Sequence, residues 1–150
     1  MINRPPQGGK AKENATRIAV IGNGNVGSGL SRILGEAGHE VTTIGRNDAL
    51  STAVAKAEVV VVATPYGAIA DLAGKADFSG KTVIDVSKPV TEDFSGLQVG
   101  HKTSAAEEIA SRLSGATVVK AFNTVFAQHY GTGLKVNGQP IQTFVAGDDE

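Results

Sequence analysis

The residues with the clearest chemical capacity are Gly22, Gly24 and Gly27, spaced G-x-G-x-x-G within Gly22-Asn23-Gly24-Asn25-Val26-Gly27, directly after the apolar run Ile18-Ala19-Val20-Ile21. Glycine at these three spacings suits a pyrophosphate. The first permits a tight turn, the second lets backbone approach the phosphates, and the third lets the following helix pack closely on the strand. The helix start then offers unpaired N–H groups and the positive end of its dipole to the anion. In a chain with 19 glycines the spacing alone says little, so the flanking pattern decides. Val26, Leu30, Ile33, Leu34 and Ala37 recur at i, i+4, i+7, i+8 and i+11, one face of a helix. Gly38 stands where a left-handed helix end belongs, and Glu40-Val41-Thr42-Thr43-Ile44 follows as a β-branched strand. Arg17 to Ile44 therefore reads as one βαβ unit.

The end of that second strand selects among dinucleotides. An Asp or Glu there holds free ribose hydroxyls, whereas a 2′-phosphate needs that carboxylate absent and a cation nearby. This chain has Ile44-Gly45-Arg46-Asn47, which points to NADP(H). A charge-assisted Arg–phosphate bond is worth roughly 1.5–3 kcal/mol, a preference of about 10–100-fold over NAD(H). The competing reading leaves Arg46 as a solvated surface residue and lets Asp48 reach the ribose.

No acid–base constellation stands out. His39, His101 and His129 are scattered without i, i+4 or carboxylate spacing, so no metal site is expected. His129-Tyr130 reads as a helix-end histidine with an exposed tyrosine, the alternative being that either contacts an acceptor, and Tyr130 lacks the Tyr-x-x-x-Lys spacing of short-chain dehydrogenases. Lys88 reads equally as a solvated loop lysine or as a contact to a phosphate or acceptor carboxylate.

Positioning these residues requires a particular succession of elements. Between Arg46 and Val59 there is room for one short helix over 49–57 but not for a further strand, a compact crossover. Val59-Val60-Val61-Val62-Ala63 is a continuous apolar run, as a central parallel strand covered on both faces would be. Thr64-Pro65-Tyr66-Gly67 breaks it before a short helix. Strands are expected at 81–86, 116–122 and 141–146, with a tight turn at Asn137-Gly138. A helix is expected over 104–113, its start marked by Ser104 and Glu107 as a capping box. The pattern predicts an α/β fold: a Rossmann-like, doubly wound, mostly parallel sheet with helices on both faces, in a compact variant with a shortened second crossover. Residues 1–15, with Pro5-Pro6 and Gly8-Gly9, read as a flexible tail, and 16–150 as the nucleotide-binding domain. Ligands of such sheets bind beyond the carboxyl ends of the strands. The irregular segments after Ile21, Ile44, Ala63, Val86 and Phe122 all fall on that edge.

Composition narrows the function further. Lys plus Arg total 14 against 15 Asp plus Glu, which leaves no electrostatic footprint for nucleic acid or an acidic membrane surface. No cysteine is present, which excludes disulfides, thiolate metal sites and a cysteine nucleophile. No apolar run approaches the length of a membrane span, and the amino terminus has no hydrophobic signal region, so a cytoplasmic protein is expected.

Taken together, several pieces resemble one family, the coenzyme F420-dependent NADP oxidoreductases and their NADPH-dependent F420 reductase-like relatives. They are the GNGNVG turn, Gly45-Arg46, Ala63-Thr64-Pro65-Tyr66, Asp85-Val86-Ser87-Lys88-Pro89, Lys120-Ala121-Phe122-Asn123-Thr124-Val125 and Val145-Ala146-Gly147-Asp148-Asp149. The resemblance implies that Asn23, Gly24, Asn25 and Val26 wrap the pyrophosphate and that Gly45 and Arg46 take the 2′-phosphate. It implies that Thr64, Pro65, Ser87, Ala121 and Asn123 lie along the nicotinamide, with Ala63, Tyr66, Lys88, Pro89 and Phe122 in the same segments. The implied activity is hydride transfer between NADP(H) and a deazaflavin (F420), a flavin or a similar planar redox acceptor, in a protein that could pair as a homodimer. Chemistry of this kind asks the protein chiefly for positioning, electrostatics and exclusion of water. The family continues past Gly147-Asp148-Asp149-Glu150 with a segment that helps close the acceptor pocket, so an incomplete acceptor half is expected. Two other functions stay open on the residues alone: a non-catalytic NAD(P)-sensing or regulatory module, and the nucleotide domain of a two-domain hydroxy-acid dehydrogenase.

Overall fold

The computed structural model describes residues 14–148, so the tail expected over 1–15 lies almost wholly outside the described residues. The chain alternates strand and helix: β1 (Arg17–Ile21), α1 (Asn25–Glu36), β2 (Glu40–Ile44), α2 (Leu50–Lys56), β3 (Val59–Val62), α3 (Ile69–Lys75), β4 (Thr82–Asp85), α4 (Ala105–Arg112) and β5 (Thr117–Ala121). Short strands β6 (Lys135–Val136), β7 (Gln139–Pro140) and β8 (Val145–Gly147) follow. The main sheet has the order β2-β1-β3-β4-β5-β8, with β1 to β5 parallel and β8 antiparallel to β5.

The four valines of β3 lie between β1 and β4, and Val60, Val61 and Val62 are buried from both faces. A continuous β-branched run is the sequence form such a strand takes. After β1 the chain steps outward to β2, then returns through the short α2 to β3 on the other side of β1. The direction of winding therefore reverses between β1 and β3, which opens a crevice at the carboxyl ends of those strands. The shortened crossover leaves β2 at the sheet edge.

Helices cover both faces unequally. Val54 of α2, Leu72 of α3 and Ile109 of α4 pack on Ala19, Ile21, Val60, Val62 and Val83. On the opposite face Leu30 of α1, with Val26, Ile33 and Leu34 beside it, covers Ile18, Val20 and Val61. The rest of that face is closed by an irregular segment that supplies Phe122, Val125, Tyr130, Leu134 and Ile141. At the start of α4, Ser104 Oγ accepts the Glu107 N–H at 3.2 Å while Glu107 Oε2 accepts the Ser104 N–H at 2.6 Å, the expected capping box.

The last strand departs from expectation. Residues 141–146 do not form one strand; only Val145–Gly147 pair with β5. Asn137-Gly138 does turn the chain, joining β6 to β7, but Pro140 has no N–H to extend that ladder. The Ile141 N–H bonds back to Leu134 O at 2.8 Å, and Ile141 joins the core under the α1 side of the sheet. An apolar residue read as part of a strand is used as a plug.

Candidate functional site

The glycine turn is shaped by what each position would meet if it carried a side chain. Gly22 has φ +110°, and a Cβ there would collide with the Ala63 carbonyl oxygen, so β1 turns directly against the end of β3. A Cβ on Gly27 would collide with the Gly22 carbonyl, which brings α1 down onto the turn. Gly24, the first cap of α1, differs: among the described residues nothing beyond its chain neighbours lies within 4 Å of its Cβ position, and no side chain caps the helix. Space and unsatisfied N–H groups coincide there, as an anion requires. Asn23 and Asn25 are exposed on either side, and Val26 turns into the core. Beside the turn, a groove of about 520 Å³ runs between Asn25, Ser28 and Arg32 of α1 and the segment Ala127–Gly131.

At the end of β2 the Gly45 N–H donates to Asp48 Oδ2 at 2.6 Å, so Asp48 folds back on the backbone. The exposed Arg46 has no ion-pair or hydrogen-bond partner among the described residues. At the end of β3, Ala63 packs against the turn, and the Thr64 hydroxyl is buried with no hydrogen-bond partner among the described residues. Pro65 opens a 3₁₀ turn, and Tyr66 Oη donates to Glu108 of α4, which ties Tyr66 to that helix. This bond to Glu108 holds the Tyr66 hydroxyl above its ordinary pKa.

The end of β4 holds an arrangement the sequence did not single out. Asp85 is fully buried, and Lys120 of β5, its register partner, lies 2.8 Å from Asp85 Oδ2 with 18% of its side chain exposed. Asp85 Oδ1 accepts the Ser87 N–H at 2.9 Å, and Lys120 Nζ also donates to the Ser87 carbonyl. The Ser87 hydroxyl is buried without a partner among the described residues. Lys88 Nζ donates to Val125 O at 3.2 Å and stands 5.4 Å from the Phe126 ring centroid. Pro89 O accepts the Gln98 N–H at 2.8 Å and starts a surface loop.

After β5, Ala121 is buried and Phe122 takes φ +62°, a left-handed conformation that is rare for a bulky residue. Tyr130 holds it there by donating to Phe122 O at 2.9 Å, and Asn123 follows half-buried. Tyr130, expected on the surface, is 1% exposed. A Cβ on Gly29 would collide with the Tyr130 Cβ, and Arg32 donates to Tyr130 O at 2.9 Å, so α1 clasps this segment. One signal for the missed pair was present: an Asp and a Lys inside otherwise apolar strands covered on both faces must find partners.

The sheet thus brings the ends of β1 to β5 to one edge, in the spatial order Arg46, glycine turn, Thr64, Ser87 and Phe122. Open space at Gly24 and two buried hydroxyls without partners fit a ligand with a phosphate at one end and hydrogen-bonding groups at the other. These features define a dinucleotide-binding Rossmann domain of the oxidoreductase type. Residues 17–96, more than half of the chain, match the family of the NAD binding domain of 6-phosphogluconate dehydrogenase, and the chain belongs to that family.

Among solved structures, one from Arthrobacter sp. FB24, named provisionally as an F420-dependent NADP-reductase, is 28% identical over 90% of this chain and 74% of its own, with a TM-score of 0.76. A hypothetical protein from Sinorhizobium meliloti is 26% identical over 92% of this chain and 76% of its own, at a TM-score of 0.72. The metalloreductase STEAP3 of Rattus norvegicus is 28% identical over 91% of this chain, which spans 30% of that protein's length. The resemblance drawn from the sequence motifs holds in fold and family. Among the described residues no helix is long and apolar enough to cross a membrane.

Proposed function

We propose that this domain binds NADP(H) and serves hydride transfer between it and a planar redox acceptor, coenzyme F420 or a flavin, drawn from the cytoplasmic pool where NADPH circulates. The observation that carries the choice of NADP(H) is Arg46, without a partner among the described residues at the end of β2 while the nearby Asp48 carboxylate is already engaged by the Gly45 N–H. Likeness to an F420-dependent NADP-reductase and to a metalloreductase supports the reductive chemistry.

In this reading the N–H groups around Gly24 bind the pyrophosphate, and the Arg46 guanidinium holds the 2′-phosphate. Thr64 and Ser87 offer hydroxyls that donate and accept, and so orient the nicotinamide half. Ala121 and Phe122 wall that end from water, which strengthens the polar contacts within. When bound, NADPH supplies a hydride, two electrons with one hydrogen nucleus, to the acceptor ring and leaves as NADP⁺.

Calorimetric titration with NADPH and NADH side by side, repeated for Arg46→Ala, tests the reading. Expected is NADPH preferred by about 10–100-fold, with the preference lost in the variant. NADPH oxidation in the presence of F420, flavins or ferric chelates then identifies the acceptor. Binding of neither nucleotide overturns the proposal. NADPH binding with a change of oligomeric state and no turnover with any acceptor would make the domain a nucleotide sensor instead.

A further inference from the structure

Resting on the NADP(H) reading of the crevice, we propose that Asp85 and Lys120 form a positioning clamp that holds Ser87 so that its hydroxyl addresses the nicotinamide half of the nucleotide. The parallel register of β4 and β5 sets Asp85 opposite Lys120, and the two side chains pair at 2.8 Å in the sheet interior. From opposite ends, this one ion pair grips both main-chain polar groups of Ser87. Asp85 Oδ1 takes its N–H at 2.9 Å, and Lys120 Nζ donates to its carbonyl. The residue is 8% exposed, yet its hydroxyl has no partner among the described residues.

A buried hydroxyl left unpaired is unfavourable, and a clamp that fixes the backbone while sparing the hydroxyl leaves it for an incoming atom. The Thr64 hydroxyl, also without a partner among the described residues, lies just past the end of neighbouring β3. Both are donor and acceptor at once, which suits a carboxamide or ribose hydroxyls and gives no advantage toward a phosphate. Two apolar side chains would bridge β4 and β5 at least as stably as the ion pair. They would not hold the Ser87 peptide. Lys120 and Asp85 act through Ser87 and are positioning residues.

The test uses the whole chain and two ligands: NADPH, and 2′,5′-ADP, which carries only the adenosine 2′-phosphate half. The paired variant Asp85→Val/Lys120→Met removes the clamp without stranding a charge. Expected is a native-like unfolding temperature, unchanged affinity for 2′,5′-ADP, and NADPH affinity weakened about 3–10-fold, the worth of one or two hydrogen bonds. Ser87→Ala should weaken NADPH to the same extent, and adding it to the paired variant should weaken NADPH no further. Native NADPH affinity in either variant overturns the clamp, as does equal weakening of both ligands. Failure of the paired variant to fold overturns it as well, since the pair would then be a structural requirement. If the native chain binds neither ligand, the NADP(H) reading itself falls. If it binds 2′,5′-ADP as tightly as NADPH, the adenosine half of that reading stands and the clamp does not.

Discussion

Gly24→Ala and Gly27→Ala, three residues apart in one turn, are expected to fail in opposite ways. Gly24 sits at φ −72° and ψ −168°, a conformation alanine adopts freely, and its Cβ position is open. Replacing glycine at a compatible position stabilises by about 0.4–1 kcal/mol, which the poorer capping preference of alanine roughly cancels. The unfolding temperature should therefore move by less than about 4 °C. Gly27→Ala instead drives a methyl into the Gly22 carbonyl, and a backbone atom has no flexible end that could yield. Overpacking of that kind costs about 1–3 kcal/mol, a fall of about 2–12 °C in a domain of this size. Binding should follow the other order. A methyl on Gly24 would occupy the space that the proposed pyrophosphate site requires, and losing one charge-assisted N–H bond of roughly 1.5–3 kcal/mol would weaken NADPH about 10–100-fold. Differential scanning calorimetry and isothermal titration on the same preparations give both numbers. Native NADPH affinity in Gly24→Ala would refute the cradle, and a stability loss matching that of Gly27→Ala would refute the open space.

Tyr130→Phe should lower the urea-extrapolated stability by about 1–2 kcal/mol, because Phe122 O loses its donor while Phe122 stays in a left-handed conformation; an unchanged midpoint would show that the Phe122 carbonyl finds water instead. Asp93 is held down to about 2, first by the Thr91 hydroxyl and then by the hydroxyl and N–H of Ser95. A depressed carboxyl stabilises the fold fully above its unfolded value of 3.8 and ceases to do so as the pH falls through about 2. A carboxyl NMR titration should give that midpoint, and Thr91→Val should raise it toward 3.8.

The parts of the molecule legible in the sequence are those whose causes are local. The glycine spacing, the helical face from Val26 to Leu34, the Ser104–Glu107 capping box and the valine run of β3 each depend on residues within a few positions of one another. The missing room between Arg46 and Val59 was enough to foresee the shortened crossover, since chain length limits what a segment can form. Ile141 misled because an apolar residue beside a turn reads the same whether it extends a strand or plugs a core.

Tertiary structure decided what depends on distant partners. The Asp85–Lys120 pair joins residues 35 apart in sequence, and only the β4–β5 register makes them opposite. Arg32 reaches across 98 positions to the Tyr130 carbonyl, and the missing side chain of Gly29 lets that segment close on α1 and bury Tyr130. Sequence by itself determined the class of fold, the place of the glycine turn that starts α1 and the charge at Arg46, because periodicity and backbone freedom are written residue by residue. Which hydroxyls are left without partners, and which charges hold them in place, depended on strand register and on packing between segments far apart in the chain.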